Sequence, residues 1–357
     1  MVEFKGLINT DSLVKTLGED RVKLNEPLSR HTSLKIGGPA ELFFETRDSG
    51  DLIKAVRLAR SFGVPVTVIG GGSNILVSDK GIAGLIIKNC GGKIEIRDKK
   101  FLGFRRHKVI QVDARWVESK AESLGSELVG LNYDESGFPE VEVAVDSGVN
   151  LQAAMFKLLD EGVTGLQWYA RIPGSVGGAV YNNIHGGSHT LAEIVKEVVV
   201  LDDHGGIVKI PAREMQFAYD RSRIHKTGEV VLEVVLNLKR GEVEKARRVE
   251  REWRKRKSSQ SFNSAGCVFK NITDKDREIL GYPTTSVGYI VENILNMTGY
   301  AIGGAMISPD HHNFIVNTGK ATAKDFLAVR DEISKRAKEM IGLELEDEII
   351  RLGDFNY

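Results

Sequence analysis

Val68-Ile69-Gly70-Gly71-Gly72-Ser73-Asn74-Ile75-Leu76 sets a short apolar run against three consecutive glycines and two polar side chains. Residues 64–69 read as a buried strand, and a second strand is expected around Leu85-Ile86-Ile87. Between them, backbone amides at 70–74 have the freedom to converge on an anion, with Ser73 and Asn74 as extra donors. No Gly-Lys-Ser/Thr follows, and no Gly-x-Gly-x-x-Gly opens a helix, so this is neither a Walker loop nor a Rossmann fingerprint. Taken alone, the stretch reads equally well as a tight structural turn.

A second loop changes that balance. Arg171-Ile172-Pro173-Gly174-Ser175-Val176-Gly177-Gly178-Ala179 combines a fixed proline, small residues and a hydroxyl. A helix beginning near Val176 is expected to offer unpaired amides to a second phosphate or a flavin edge. Two such loops in one chain are less easily dismissed as turns.

Around these loops the chain reads as mixed helix and strand. From Ser49 a capped helix carries Leu52, Ala55, Val56, Ala59 and Phe62 on one face. Leu151, Ala154, Met155, Leu158 and Leu159 form another helical stripe, and 195–201, 207–210 and 230–238 read as strands. Residues 91–141, with Arg105-Arg106-His107-Lys108 and the polar run from Asn132, read as an extended hairpin or an insertion. Residues 242–257 form a helix with eight basic residues and four interleaved glutamates, which favours a solvated surface over a phosphate-binding rim. A last helix starts at a Thr322 cap and runs through Phe326, Val329, Ile333, Ala337 and Met340.

At 357 residues the chain exceeds one typical domain. Its 49 basic and 49 acidic residues balance, which gives no reason to expect nucleic acid as a main partner. The opening residues lack the apolar core of a signal peptide, and no apolar run is long enough to span a membrane. Cys90 and Cys267 are the two cysteines of the chain, which suggests a reducing compartment and a cytoplasmic protein. The eight histidines show no metal-ligand spacing, so no metal is expected.

Asn263-Ser264-Ala265-Gly266-Cys267-Val268-Phe269-Lys270-Asn271 places a thiol after a small, flexible turn, and Leu345-Glu346-Asp347-Glu348-Ile349 places carboxylates near the end of the sequence. A thiol can deliver a proton, and a carboxylate can stabilise the group that receives it. A packed cysteine and surface carboxylates are the plain alternatives.

The landmarks occur in a set order: His31-Thr32-Ser33 with Gly37-Gly38-Pro39-Ala40, the triple-glycine loop, Ile172 to Ala179, and Ser264 to Asn271. Gly303-Gly304-Ala305, His311-His312-Asn313-Phe314-Ile315-Val316-Asn317 and Leu345 to Gly353 follow. This series resembles the UDP-N-acetylenolpyruvoylglucosamine reductase family, in its compact form without an extra substrate-covering loop. The resemblance implies an α+β protein: a two-part FAD-binding region of the vanillyl-alcohol-oxidase (PCMH-like) type and a smaller α+β substrate-binding domain. On that basis residues 1–90 and 91–240 would be the two FAD-binding subdomains, 241–341 the substrate-binding domain, and 342–357 a segment returning to the active site. NADPH would reduce FAD and leave. UDP-N-acetylglucosamine enolpyruvate would then take hydride at C3 and a proton at C2, giving UDP-N-acetylmuramate for peptidoglycan by ping-pong kinetics. A monomer is expected.

The resemblance also assigns roles residue by residue. Cys267 stands where the family has a serine proton donor, and Glu348 matches the C-terminal glutamate, with Glu346 as runner-up. Where the family reads Tyr-Arg-x-Ser this chain reads Tyr219-Asp220-Arg221-Ser222-Arg223, so Arg223 or Arg221 is expected to supply the guanidinium. Arg171, in place of a usual glycine, is a further candidate. The expected cofactor residues are Gly70, Gly71, Gly72, Ser73, Asn74, Ile172, Pro173, Gly174, Ser175, Gly177, Gly178 and Asn182. Lys270, Asn271, Glu292 and Asn313 are expected at the substrate. Two rivals stay open: a flavin oxidase or dehydrogenase acting on another substrate, against which the Ser264 to Asn271 match counts, and a non-catalytic flavin- or UDP-sugar-binding regulator, which the displaced arginine favours.

Overall fold

The computed structural model describes residues 7–98, 107–113, 133–257 and 263–357. The chain forms two compact units. One comprises 44–70 and 87–258, and the other comprises 1–43, 71–86 and 259–357.

The first unit is built on a six-stranded antiparallel sheet, in the order Ile207–Pro211, Val195–Leu201, Val230–Lys239, Glu140–Asp146, Lys93–Asp98, His107–Gln111. Valine-rich strands favour this arrangement because β-branched side chains pack well on a pleated surface. The expected strand–turn–strand at 195–210 is present. Asp202 accepts the Gly206 amide through Oδ1 at 2.6 Å, and Gly205 takes a φ of +81° that its missing Cβ permits. Helix Leu151–Asp160 lays Leu151, Ala154, Met155, Leu158 and Leu159 into the core under an Asn150 cap that accepts the Ala153 amide. Helix Ser49–Ser61 is capped by Asp48 and buries Leu52, Ala55, Val56 and Ala59, as its periodicity predicts.

The reading of 91–141 as a hairpin holds where the structure describes it, since Lys93–Asp98 pairs with His107–Gln111. Arg105, Arg106, Asn132 and residues 114–131 lie outside the described residues. Helix Val243–Arg256 buries Ala246 and Val249 in the same core as the six-stranded sheet. This unit therefore runs past the boundary expected at 241 and ends at 258.

The second unit packs helix Ala323–Ile341 on a three-stranded sheet of Ala301–Ile302, Ala305–Ile307 and Ile315–Asn317. Thr322 closes the helix with a capping box, its side chain accepting the Asp325 amide. Phe326, Val329, Ile333 and Ala337 meet Val268, Phe269, Val287, Ile290, Ile307 and Ile315 in one core, which also takes Leu34, Ile36, Leu76 and Ile349. The N-terminal residues, the 71–86 stretch and the last residues of the sequence thus share one interior. The expected division into 1–90 and 342–357 as separate pieces gives way to this discontinuous unit.

Candidate active site

In the second unit the thiol segment is extended and held on both sides. Ser264 bridges Val316, and the Val268 amide donates to the Asn313 carbonyl at 2.8 Å. Asn313, 3 % exposed, clamps Phe269 by accepting its amide at 3.1 Å and donating to its carbonyl at 2.7 Å. On the other side the Lys270 amide donates to Glu346 at 2.9 Å, Phe269 bridges Asp347, and the Glu348 amide donates to the Val268 carbonyl at 2.8 Å. Cys267 is half-buried, one residue from the carbonyl that registers Glu348. Arg330 fixes the intervening Asp347 at 2.6 Å and lies over the Phe269 ring at 5.3 Å.

The triple-glycine loop joins the same cluster. The Ile350 amide donates to the Asn74 carbonyl at 3.0 Å, and Asn74 Nδ2 donates to the Glu348 carbonyl at 3.3 Å. Glycine loop, thiol strand and the backbone at Glu348 are therefore contiguous. Gly72 adopts φ +65°, and a Cβ there would lie 2.1 Å from the His31 carbonyl oxygen. The Ser33 amide closes on the Gly72 carbonyl at 3.0 Å, so the His31-Thr32-Ser33 motif forms the wall of the loop. Among the described residues the amides of Gly71, Gly72 and Asn74 donate to no main-chain carbonyl. Amides of one tight loop that no main-chain carbonyl takes up suit a pyrophosphate, so this donor set fits a dinucleotide cofactor.

In the first unit, the helix expected near Val176 is present as Val176–Tyr181, with Ser175 as its cap. Its amides, however, are spent within the protein. Val176 donates to Val149, Gly177 to Ser147, and Gly178 to Ser175 Oγ at 3.2 Å. The expectation of free helix-terminal amides is corrected here. Gly70 and Gly177 serve close approach instead, since a Cβ at Gly70 would lie 2.2 Å from Ser175 Oγ and one at Gly177 would lie 2.8 Å from Ser147 Cβ. Gly174, at φ +122°, keeps an amide that donates to no main-chain carbonyl among the described residues. Ile172 donates its amide to Tyr169, Pro173 is exposed, and Asn182 ends the helix with its amide on Gly178.

The arginines separate clearly. Arg223 makes a two-point pair with Glu229, at 3.0 and 2.8 Å, and Thr227 bonds the same carboxylate. That guanidinium is committed to a structural pair, so Arg223 is set aside as the catalytic arginine. Arg221 is exposed, and its backbone closes a tight turn with Ala218. Asp220 sits in that turn at φ +49° and approaches His185 Nδ1 at 3.4 Å. Aspartate tolerates this left-handed conformation better than most residues. Ser222, buried, anchors the turn by donating to the Tyr181 carbonyl at 2.8 Å. Arg171 takes φ +65°, a conformation that strains a residue with a Cβ, and its guanidinium reaches the Lys257 carbonyl at 3.4 Å.

Of the expected substrate residues, Lys270 pairs with the exposed carboxylate of Glu346. Asn271 accepts the Val287 amide at 3.4 Å. Glu292 is exposed and lies 3.4 Å from His312. Asn313 is a clamp on the thiol strand, and its assignment to the substrate is corrected accordingly. Sequence reasoning missed Arg330, because its partner is a tertiary one. It also missed the Asn74–Glu348 link, although both residues had been singled out separately. No helix among the described residues is long and apolar enough to cross a membrane.

Residues 130–211 match a family model described as an FAD binding domain. The fold and loops thus define an α+β flavoprotein of the oxidoreductase class. Residues 257–352 match the model of the UDP-N-acetylenolpyruvoylglucosamine reductase C-terminal domain. The chain is similar to the UDP-N-acetylenolpyruvoylglucosamine reductase of Lachnoclostridium phytofermentans, at 31% identity over 99% of this chain and 96% of that one. It is 34% identical to the one from Heliobacterium modesticaldum, over 92% of this chain and 90% of that one. The crystal structure of the Thermus caldophilus reductase matches with a TM-score of 0.65 and 28% identity, covering 93% of this chain and 98% of that one. The chain belongs to the UDP-N-acetylenolpyruvoylglucosamine reductase family.

Proposed function

We propose that this chain catalyses the NADPH-dependent, FAD-mediated reduction of UDP-N-acetylglucosamine enolpyruvate to UDP-N-acetylmuramate, a step of peptidoglycan precursor synthesis in the cytoplasm. The observation that carries the reading is the registration of Glu348 on Val268, beside Cys267, with Asn74 of the glycine loop bonded to the same glutamate. It brings a proton donor, a carboxylate and a phosphate-suited loop into one unit.

FAD, when bound, supplies hydride transfer between the nicotinamide and the olefinic carbon of the substrate. Gly71, Gly72 and Asn74 would hold its pyrophosphate by their amides. Cys267 gives its proton to C2, since a thiol is several pKa units more acidic than the serine hydroxyl of related enzymes. Glu348 stabilises the enol-like species at the same carbon. Arg221 is the first candidate for the enolpyruvyl carboxylate, because Arg223 is held by Glu229, and Arg171 is the second.

The test is an anaerobic titration of the FAD-loaded protein. NADPH should bleach the flavin, and the enolpyruvyl UDP-sugar should restore its colour. Bleaching without recovery on that substrate would move the chain to an oxidase or dehydrogenase of another substrate, and failure to bind FAD would leave a non-catalytic regulator.

A further inference from the structure

Strand Ile350–Leu352 pairs in parallel with Ile75–Val77, register Ile350↔Ile75, and the two form a sheet by themselves. Three residues a side do not stabilise such a ribbon alone, so its position depends on what holds its ends. One end is tied at Glu348 and Asn74, inside the site. The other is tied by the last five residues of the sequence. The Ser78 amide donates to the Leu352 carbonyl at 2.9 Å, and the buried Ser78 hydroxyl donates to the Asp354 carbonyl. Gly353, at φ +99°, lies where a Cβ would be 2.6 Å from the Gly81 carbonyl oxygen. Lys80 pairs with Asp354 at 3.0 Å and also donates to the Asn356 carbonyl, while the Asp79 amide donates to Tyr357 Oη at 3.1 Å. The turn that receives all this is itself fixed, because the Asp79 carboxylate accepts the Ala323 and Lys324 amides at 2.8 and 3.0 Å.

We infer that residues 353–357 are a clasp that positions Glu348 for the protonation step, with Gly353 as its hinge point and Asp354 and Tyr357 as its catches. A strand pinned at both ends cannot slide along its partner, and a strand pinned at one end frays. Glu348 is itself the inner anchor, its amide on the thiol strand and its carbonyl on Asn74, so slack in the clasp is felt at its carboxylate. These are positioning residues, and the inference rests on the reductase reading above.

The experiment compares the unaltered chain, Gly353→Ala and a chain ending at Leu352, each loaded with FAD, in the two half-reactions followed separately. Flavin reduction by NADPH should stay within about twofold of the unaltered rate, while reoxidation by the enolpyruvyl UDP-sugar should slow by about tenfold or more. Equal slowing of both half-reactions, or of neither, would overturn the inference. Hydrogen exchange provides a readout independent of turnover. Amides of 348–352 should exchange about tenfold faster in both variants, with 195–201 unchanged as a check on folding. Unchanged exchange at 348–352 would overturn the clasp. Loss of reoxidation in the unaltered chain would instead count against the reductase reading, with the exchange result still deciding the clasp.

Discussion

Cys267 is the residue on which the proposed chemistry turns. Cys267→Ser should retain substantial activity, and Cys267→Ala should lower the rate of flavin reoxidation by about a hundredfold or more. Equal rates for Cys267→Ala and the unaltered protein would remove the thiol from the mechanism. Arg171 carries a different kind of expectation. Its left-handed backbone costs a non-glycine residue about 1–2 kcal/mol, and a glycine there loses part of that gain to a freer unfolded chain. Arg171→Gly should therefore raise stability by up to about 1 kcal/mol in urea unfolding, unless its bond to Lys257 outweighs the strain. At this level the sequence was legible where a backbone conformation depends on residue type within a local motif, as for the left-handed turn at Gly72. It was not legible for Arg223 or Asn313, whose side chains are claimed by Glu229 and Phe269. Nothing at either position in the sequence names such a partner.

Loops and strands add constraints that single residues do not. Gly72→Ala would place a methyl against the His31 carbonyl as well as straining the backbone, at a cost of at least about 2 kcal/mol. FAD binding should be lost with it, measurable by flavin fluorescence on dialysis. In the six-stranded sheet, Glu233 stands directly opposite Asp146. Burial raises both carboxyls above their ordinary range, and at Glu233 the charge of Asp146 adds to it. A raised folded-state value means that stability is fully present below about pH 4 and is lost as pH rises through the shifted values. Glu233→Gln should thus stabilise the protein at pH 7, by about 0.2–1 kcal/mol, and flatten the decline from pH 4 to 7 seen in thermal unfolding. The helices and strands themselves were readable from periodicity and caps, because Asp48, Asn150 and Thr322 act on amides three residues away. The spent amides of helix Val176–Tyr181 were not, since Ser147 and Val149 reach them from a segment remote in sequence.

For the whole chain, ligand linkage gives a direct check. Free FAD at a hundred times its Kd should stabilise the folded protein by about 2.7 kcal/mol, seen as a concentration-dependent rise in Tm. A Tm indifferent to FAD would contradict the fit of the glycine loop. The α+β class was legible from the alternation of elements, whereas the grouping of segments was not, because contiguity in sequence is a poor guide when a core draws on both ends. The discontinuous second unit also has a consequence during synthesis. Leu34, Ile36 and Leu76 emerge from the ribosome long before Val268, Phe269 and Ile349, with which they share an interior. At about 5–20 residues per second, those early apolar residues wait on the order of tens of seconds for their partners. The newborn chain completes the sheet-based unit first and must keep its own beginning out of trouble until its end is made.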